Sequence, residues 1–265
     1  MTTPDRQPLG GRVVLVTGAG GGIGRAVALR CAREGAVVVL AGRSRERLGA
    51  VAAEVADLGR HATVVGLDQR EERSVEAAVA ATLEETGGID VLVANSGVAG
   101  PSAPLWQVTT EAWEDTLAVN VTGTFLVLRA VAASMVTRRT GSIVVIGSTT
   151  GKHPLPGRTP YATSKTALVG LVRTAATDLG PYGIRVNLVS PGPVAGERLD
   201  RVVAARAAAS GASPEQSLAE LTAGAALGRV VTADEVAEVV AFLASDRARG
   251  VTGEDVNVSA GAVMH

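Results

Sequence analysis

Several residue types that mark particular classes of protein are scarce in this chain of 265 residues. Because Cys31 is the only cysteine, the chain cannot form an internal disulfide. The three histidines, His61, His153 and His265, stand too far apart for a metal-ligand spacing, so we expect no metal site. Aromatic residues make up 2% of the sequence, which leaves Ala, Val and Leu to build the core.

An excess of charge of one sign is missing as well. The formal net charge is -1 with 19% charged residues, a balance that favours neither nucleic acid nor an anionic membrane as a partner. The polar start of the chain differs from a secretory signal, and we expect residues 1–10 to be flexible. No uninterrupted apolar run approaches the length of a membrane span. These absences predict a soluble, cytoplasmic protein that binds neither nucleic acid nor a membrane.

Apolar runs that alternate with helical patterns are what the chain has most of, and 46% of its residues are hydrophobic. Seven short apolar runs are interpreted as strands: residues 13–16, 36–40, 62–67, 89–94, 142–146, 185–189 and 255–258. Helical patterns lie between them, among them one of about seven turns from Thr110 to Val136. Continuous apolar strands are typical of a parallel sheet that helices cover on both faces.

This alternation predicts an α/β fold, a doubly wound parallel sheet of about seven strands in a three-layer αβα arrangement. No linker divides the chain, so we expect one domain over residues 1–265. Within this domain, we expect the Ala-rich residues 195–228 to form a looser, mobile excursion from the sheet.

A glycine-rich turn, Thr17–Gly24, follows the first strand and opens the first helix. Its spacing is T-G-x-x-x-G-x-G, with Gly18, Gly22, Ile23 and Gly24 at the defining positions, and it fits neither G-x-G-x-x-G nor a phosphate loop ending in Gly-Lys. Glycines there let a pyrophosphate approach the backbone at a helix N-terminus. The alternative is a glycine-rich turn without a ligand, but its place between strand and helix favours a dinucleotide site.

The end of the second strand usually selects the dinucleotide in such folds, because a carboxylate there binds the ribose 2′-OH whereas an arginine accommodates a 2′-phosphate. The sequence has Arg43 there and no acid. It therefore favours NADP (NADPH), with NAD possible. The alternative is that Arg43 only begins a solvated helix with Arg45 and Arg47.

Tyr161 and Lys165 are four residues apart in a predicted helix, so their side chains share a face. A lysine cation about 5 Å from the phenol, at an effective dielectric of about 20, favours the phenolate by roughly 3 kcal/mol, or about two pKa units. That brings the tyrosine into a useful range for acid–base catalysis. The spacing is common on helix surfaces, but the chain has only two tyrosines, and Ser148 ends the preceding strand, aimed at the same cleft.

These motifs together resemble the short-chain dehydrogenase/reductase family, in order and spacing, from about Gly11 to the C-terminus. The resemblance rests on the following residues: Thr17–Gly24, Asn95-Ser96-Gly97, Asn120, Ser148, Tyr161 with Lys165, and Pro191-Gly192. It implies a Rossmann-like fold and hydride transfer between a nicotinamide and a carbonyl carbon.

The resemblance also implies a role for each catalytic position. Tyr161 is similar to the acid–base that exchanges a proton with the substrate oxygen. Lys165 resembles the residue that lowers the pKa of that tyrosine and binds the nicotinamide ribose. Ser148 matches the hydroxyl that polarises the carbonyl, and Asn120 the residue that holds a water connecting Lys165 to solvent.

The cofactor contacts that the resemblance implies follow the strand ends. Asp68 and Gln69 resemble the pair that contacts adenine, and Asn95 and Gly97 the segment beside the adenine ribose. The nicotinamide amide would lie against a turn that contains Pro191, Gly192 and Val194. Two positions depart from the family pattern: Gly196 replaces a threonine, and Gly21 stands where NADP users often carry a basic residue.

Residues around this predicted cleft have two interpretations each. Trp106 and Trp113 either line a substrate pocket or anchor packing. Lys152, His153 and Arg158 either grip a polar or anionic substrate or belong to a solvated loop. The Arg/Ala-rich stretch Arg198–Ser210 resembles a basic amphipathic helix. The family resemblance implies a substrate lid at this position, over residues 195–228, which fits better than a membrane or nucleic-acid role. The two long predicted helices, Thr110–Val136 and Pro160–Leu179, carry more apolar residues than one core face needs. This surplus predicts a homo-oligomer, a tetramer or a dimer.

The sequence thus favours an NADPH-dependent reductase acting on a ketone of the 3-oxoacyl, polyketide or cyclic type. An NAD-dependent secondary alcohol dehydrogenase is the alternative within the same chemistry. A dinucleotide-binding sensor or scaffold without catalysis is the alternative of another class, and the complete set of Asn120, Ser148, Tyr161 and Lys165 speaks against it.

Overall fold

The computed structural model describes residues 7–264, apart from the side chains of Arg198, Ala205, Arg206 and residues 208–210. Seven strands form its sheet: β1 Val13–Thr17, β2 Val37–Gly42, β3 Ala62–Gly66, β4 Val91–Ala94, β5 Gly141–Ile146, β6 Ile184–Pro191 and β7 Asp255–Val258. The helices are α1 Gly22–Arg33, α2 Arg45–Asp57, α3 Glu72–Thr86, α4 Thr110–Leu117, α5 Thr124–Arg138, α6 Thr159–Leu179, α7 Glu197–Ser210, α8 Pro214–Thr222 and α9 Ala233–Ala244.

All seven strands pair in parallel in the order β3-β2-β1-β4-β5-β6-β7. The chain runs outward from β1 to β3, then returns to place β4 on the other side of β1. This reversal leaves a crevice at the carboxyl ends of β1 and β4, where ligands bind in doubly wound sheets. The predicted α/β fold is confirmed.

Two hydrophobic layers, one on each face of the sheet, explain why the strands are continuous apolar runs. In β1, Val14 belongs to the layer beneath α1, α2 and α9, whereas Leu15 belongs to the layer beneath α3, α5 and α6. Successive side chains point to opposite faces, so a strand that is covered on both faces must be apolar at every position.

The expected unbroken helix from Thr110 to Val136 is wrong in its middle. A π turn over Ala118–Gly123 separates α4 from α5. Such a turn carries an extra residue and frees backbone carbonyls. The Val119 carbonyl accepts a hydrogen bond from Gln69 Nε2 at 2.6 Å. Because the freed carbonyl finds its partner in a residue far away in sequence, the helical periodicity gives no sign of the interruption.

The helical stretch Thr110–Arg138 is long and apolar, although it contains no uninterrupted apolar run of the length of a membrane span. By length and composition alone it could cross a membrane, but 44% of its most apolar window is buried inside the protein. Leu126, Val131 and Met135 pack in the layer between the sheet and α6. These side chains are therefore part of the hydrophobic core.

Two further expectations need correction. Residues 7–10 are not flexible, because Leu9 is fully buried and its amide donates to the Glu34 carbonyl; the rest of that predicted segment, residues 1–6, lies outside the described part. The excursion over residues 195–228 is not loose in local structure, since it contains α7 and α8. A capping box of Ser213 and Gln216 begins α8.

Candidate active site

The glycine turn crosses from β1 to α1 at the crevice, with Gly18 at φ 65° and Gly22 at φ 51°. These left-handed conformations favour glycine. A Cβ at Gly24 would overlap the Gly18 carbonyl oxygen and come within 2.6 Å of Asn95 Nδ2. Gly24 is therefore required for close packing of α1 on β1, and Gly18 and Gly22 for the path of the turn.

Asn95, which follows β4, fixes this turn with its side chain. Its Nδ2 donates to the carbonyls of Thr17 at 3.0 Å and Gly18 at 3.2 Å. Thr17 Oγ1 in turn accepts from the amides of Asn95 and Ser96. The Asn95 side chain is thus a structural bridge between β4 and the glycine turn, and its predicted place beside the adenine ribose stays a prediction. Thr17, the partner in this bridge, was not expected from the sequence as a separate site residue.

The start of α1 suits the pyrophosphate of a dinucleotide. No side chain caps this helix, and no acidic residue lies in its first turn. Its first amides and the helix dipole thus face the crevice as an anion site. The glycines keep Cβ atoms away from this surface, with Ile23 half-buried behind them. These residues fit a dinucleotide, which they would hold by its phosphates.

Basic residues gather where the adenosine end of a dinucleotide would lie. Arg43 is exposed directly after β2, and a Cβ at Gly20 would lie 3.0 Å from Arg47 Cβ. Arg47, expected only as part of a solvated helix, therefore borders the glycine turn. On the neighbouring strand end, Arg70 holds the pKa of Asp68 below its usual value by hydrogen bonding, and the charge of Arg43 contributes to that shift.

Gln69 does not present its side chain to a nucleotide. The residue is 6% exposed, and its Nε2 donates to the carbonyls of Val119 and Ser96. The side-chain amide is therefore used inside the protein, and the adenine contact that the resemblance implies for Asp68 and Gln69 stays a prediction. Asp68, in contrast, keeps 27% of its side chain exposed beside Arg70.

Asn120 lies within the π turn and is 1% exposed. Its Oδ1 accepts from the Val98 amide at 2.8 Å, and its Nδ2 donates to the Val98 carbonyl and to Ser164 Oγ, both at 3.0 Å. The side chain thus joins the loop after β4 to α6. The water-holding role implied by the resemblance stays a prediction.

Lys165 and Tyr161 meet on one face of α6, as expected from their spacing. The Lys165 ammonium donates to the Ile146 carbonyl at 2.8 Å and lies 5.8 Å from the centre of the Tyr161 ring. A Cβ at Gly97 would be 3.6 Å from that ammonium. Lysine and tyrosine are 6% and 9% exposed, so water screens the cation poorly and its effect on the phenol is strengthened.

Ser148 lies two residues beyond Ile146, at the carboxyl end of β5. Its Oγ accepts from the Thr150 amide at 3.2 Å in a short 3₁₀ turn. That turn packs on α6, where Thr166 Oγ1 donates to the Gly151 carbonyl at 2.7 Å. The structure thus brings Ser148 to the same sheet edge as Lys165 and Tyr161.

The segment Pro191–Val194 leaves β6 at this edge as well. The Gly192 amide donates to Val258, and a Cβ on Gly192 would lie 3.0 Å from Ser259. Val194 pairs with Val231, and Thr149 Oγ1 reaches the Pro191 carbonyl at 3.3 Å. The predicted nicotinamide turn therefore adjoins the 3₁₀ turn after Ser148.

The loop after Ser148 contains Lys152, His153 and Arg158, and of these Lys152 is not placed to grip a substrate. Its ammonium lies 3.0 Å from an Asp255 oxygen, with side chains only 16% and 9% exposed, and donates to Asn257 Oδ1 at 2.7 Å. Lys152 thus ties the loop to β7. His153 is exposed, as is Trp106 with 83% of its surface, whereas Trp113 is half-buried.

Comparisons with known proteins agree with this geometry. A family model described as enoyl-(acyl carrier protein) reductase matches residues 18–263. The 3-oxoacyl-[acyl-carrier-protein] reductase FabG of Thermotoga maritima is 34% identical over 256 residues, which cover 97% of this chain and 99% of that protein. The crystal structure of NAD⁺-bound xylitol dehydrogenase matches with a TM-score of 0.92 at 36% identity, over 96% of this chain and 99% of that one. For levodione reductase the TM-score is 0.90 at 34% identity, over 94% and 96%.

The chain belongs to the short-chain dehydrogenase/reductase family. It is an oxidoreductase that interconverts an alcohol and a carbonyl group with a nicotinamide dinucleotide. The family, the fold and the reaction type expected from the sequence are thereby confirmed.

Proposed function

We propose that this protein reduces a ketone to a secondary alcohol and that NADPH is its preferred cofactor. The observation that carries the proposal is the convergence of Tyr161, Lys165 and Ser148 at the sheet edge next to the glycine turn. When bound, the nicotinamide supplies the hydride that the carbonyl carbon accepts.

The protein's own groups then serve the substrate oxygen. The Tyr161 phenol donates its proton to that oxygen as negative charge develops there, and the Lys165 ammonium stabilises the phenolate that remains. Ser148 Oγ already accepts from the Thr150 amide, so its hydroxyl hydrogen serves as a second donor to the same oxygen. Asn120 holds the loop after β4 against α6 and so keeps Lys165 in place.

The preference for NADPH rests on the basic end of β2. Arg43 is exposed there without a neighbouring acid on that strand end, and a guanidinium suits a 2′-phosphate. Arg47, beside Gly20, adds a second cation. Arg43→Ala is expected to raise KM for NADPH roughly 10- to 100-fold and leave KM for NADH nearly unchanged, since one charged hydrogen bond contributes about 1.5–3 kcal/mol. Equal KM values in the unmodified enzyme would refute the preference.

The two helices over residues 195–228 are proposed as the lid over the substrate. They follow the predicted nicotinamide turn directly in the chain, and Val202 and Leu218 expose apolar surface. We also propose a homo-oligomer, because Phe125 on α5 is 43% exposed and apolar faces of this kind often mark subunit contacts. Analytical ultracentrifugation that finds only a monomer would refute the oligomer.

The experiment that tests the function follows the absorbance of reduced nicotinamide with a panel of 3-oxoacyl thioesters, cyclic ketones and secondary alcohols, each with NADPH and NADH. Reduction of at least one ketone class, with NADPH preferred, is the expected result. Oxidation of alcohols with NAD⁺ alone would instead favour a secondary alcohol dehydrogenase, the alternative that the NAD⁺-bound xylitol dehydrogenase relative supports. Cofactor binding without turnover of any substrate would indicate a sensor or scaffold.

A further inference from the structure

Arg158 stands over the ring of Tyr161. It occupies the N-cap position of α6, three residues before the tyrosine, and its guanidinium carbon lies 4.9 Å from the ring centre. That is closer than the Lys165 ammonium, which lies 5.8 Å from the same point. The phenol is therefore close to two cations, of which the sequence motif accounts for one.

The guanidinium is held there by the loop after β4. Arg158 Nη2 donates to the Ala99 carbonyl at 2.9 Å, and the Ala103 amide donates to the carbonyl of Gly157 at 3.0 Å. Gly157 has φ 71°, a conformation that favours glycine and turns the chain into α6. Arg158 is thus fixed between two segments that border the site.

A cation at this position acts on both the place and the charge of the ring. The face of an aromatic ring attracts a cation, so the contact fixes the orientation of Tyr161. The attraction grows when the phenol becomes phenolate, because the ring and its oxygen then carry a full negative charge. The cation therefore favours the ionised form of the tyrosine.

Other charged groups around α6 are engaged elsewhere or are exposed. The 3₁₀ turn after Ser148 leads to Lys152, which is paired with Asp255, and to the exposed His153. The π turn contributes the uncharged Asn120. The carboxylates of α4, which are Glu111, Glu114 and Asp115, are exposed. On α5, Arg129 pairs with Glu72 and Arg138 pairs with Asp90. On β6, Arg185 donates to the Ser245 carbonyl. Of the charged groups described around α6, Arg158 and Lys165 are the two whose charges lie over the ring of Tyr161.

We propose that Arg158 is a positioning residue, which fixes the ring of Tyr161 and, together with Lys165, favours its phenolate form. The inference deepens the proposed function, since it rests on Tyr161 as the acid–base. It assigns to Arg158 a task different from the substrate grip or the solvated loop considered from the sequence.

Direct titration of the tyrosine tests this inference without cofactor or substrate. The chain has two tyrosines, and Tyr182 is a surface residue, 38% exposed. In a Tyr182→Phe background, the ultraviolet absorbance of tyrosinate reports Tyr161 alone. Arg158→Met should raise the midpoint of that titration by about half to one pH unit, because a partly screened cation is lost. Arg158→Lys keeps the positive charge but loses the planar group stacked on the ring, so its midpoint should rise less than that of Arg158→Met.

Equal midpoints in the parent, Arg158→Met and Arg158→Lys would overturn the proposal, as would an equal rise in both variants. If Arg158→Met does not fold, as judged by circular dichroism, Arg158→Gln takes its place. In the active enzyme, the alkaline limb of kcat/KM for reduction should move upward with the Met variant and by less with the Lys variant. A protein that shows the titration shift but reduces no ketone would count against the proposed function and leave the Arg158–Tyr161 interaction intact.

Discussion

The candidate catalytic cluster and the α7–α8 segment, which follows β6 in the chain, differ in how the protein holds their side chains. In the cluster, Asn120 is 1% and Lys165 6% exposed, and each is hydrogen-bonded to the backbone of a different element. In the α7–α8 segment, Val202 is 43% and Leu218 37% exposed. One region is part of the core, whereas the other turns much of its apolar surface outward.

This contrast separates two tasks. Proton transfer needs groups whose geometry is fixed before the substrate arrives, so a buried, hydrogen-bonded setting suits the cluster. Selection of a substrate suits a surface that can adjust to it, and exposed apolar side chains gain most from covering a ligand. The difference predicts that substitutions in the two regions will affect different measurements.

The largest effect is expected from Tyr161→Phe. Loss of the phenolic proton donor should lower kcat by about 10²–10⁴-fold, while the dissociation constant of NADPH changes little because the ring remains. Steady-state kinetics and a fluorescence titration of NADPH measure the two quantities. Tyr182→Phe is the matched control, and near-normal turnover in Tyr161→Phe would remove the assignment of the acid–base.

Truncation of one apolar side chain in each region should separate them by stability. Leu168 is fully buried on α6, and its replacement by Ala should cost about 2–5 kcal/mol in the free energy of unfolding. Val202→Ala on α7 should stay within about 0.5 kcal/mol of the parent and instead raise KM for the ketone. Chemical denaturation and kinetics decide this. Similar losses of stability in both variants would break the comparison.

Gly24→Ala tests whether the glycine turn belongs with the rigid region. The added Cβ would overlap the Gly18 carbonyl, and overpacking of this kind costs about 1–3 kcal/mol. Chemical denaturation should show a loss of about that size in the free energy of unfolding, and NADPH should bind more weakly because the glycine turn must shift to admit the Cβ. Gly49→Ala on α2, where a Cβ meets no atom within 4 Å, is the control and should bind NADPH normally.

The smallest effect concerns the boundary between the α7–α8 segment and α9. Glu235 belongs to the capping box of α9, and the hydrogen bond from Arg229 is the largest cause that lowers its pKa from 4.5 to about 2. Because the pKa is depressed in the folded state, this stabilisation is present above pH 4.5 and is lost as pH falls toward about 2.

Glu235→Gln should therefore melt at a lower temperature than the parent at neutral pH. The gap between the two melting temperatures should close as the pH falls through that window, as followed by thermal unfolding at a series of pH values. A gap that is the same at all pH values would show that the charge of Glu235 contributes nothing.

Prediction from the sequence succeeded where a local pattern has one physical outcome. Continuous β-branched apolar runs such as Val13–Val16 are typical of strands buried on both faces, and the spacing of Tyr161 and Lys165 places both on one helix face. It failed where a distant partner decides. The π turn depends on Gln69, the engagement of Lys152 on Asp255, and the ordering of Leu9 on burial in the core. None of these partners is near in sequence.

By itself, the sequence determined the alternation of strands and helices, the glycine turn and the shared helix face of Tyr161 and Lys165, because hydrophobic period, glycine conformation and helix spacing are local properties. Only the tertiary structure decided which polar side chains face the crevice and which bind within the protein. Asn95, Gln69 and Asn120 carry amides that suit either use. The folded sheet brings near them the carbonyl and hydroxyl oxygens to which these amides donate. Hydrogen-bond partners of this kind are fixed by packing, which no local pattern encodes.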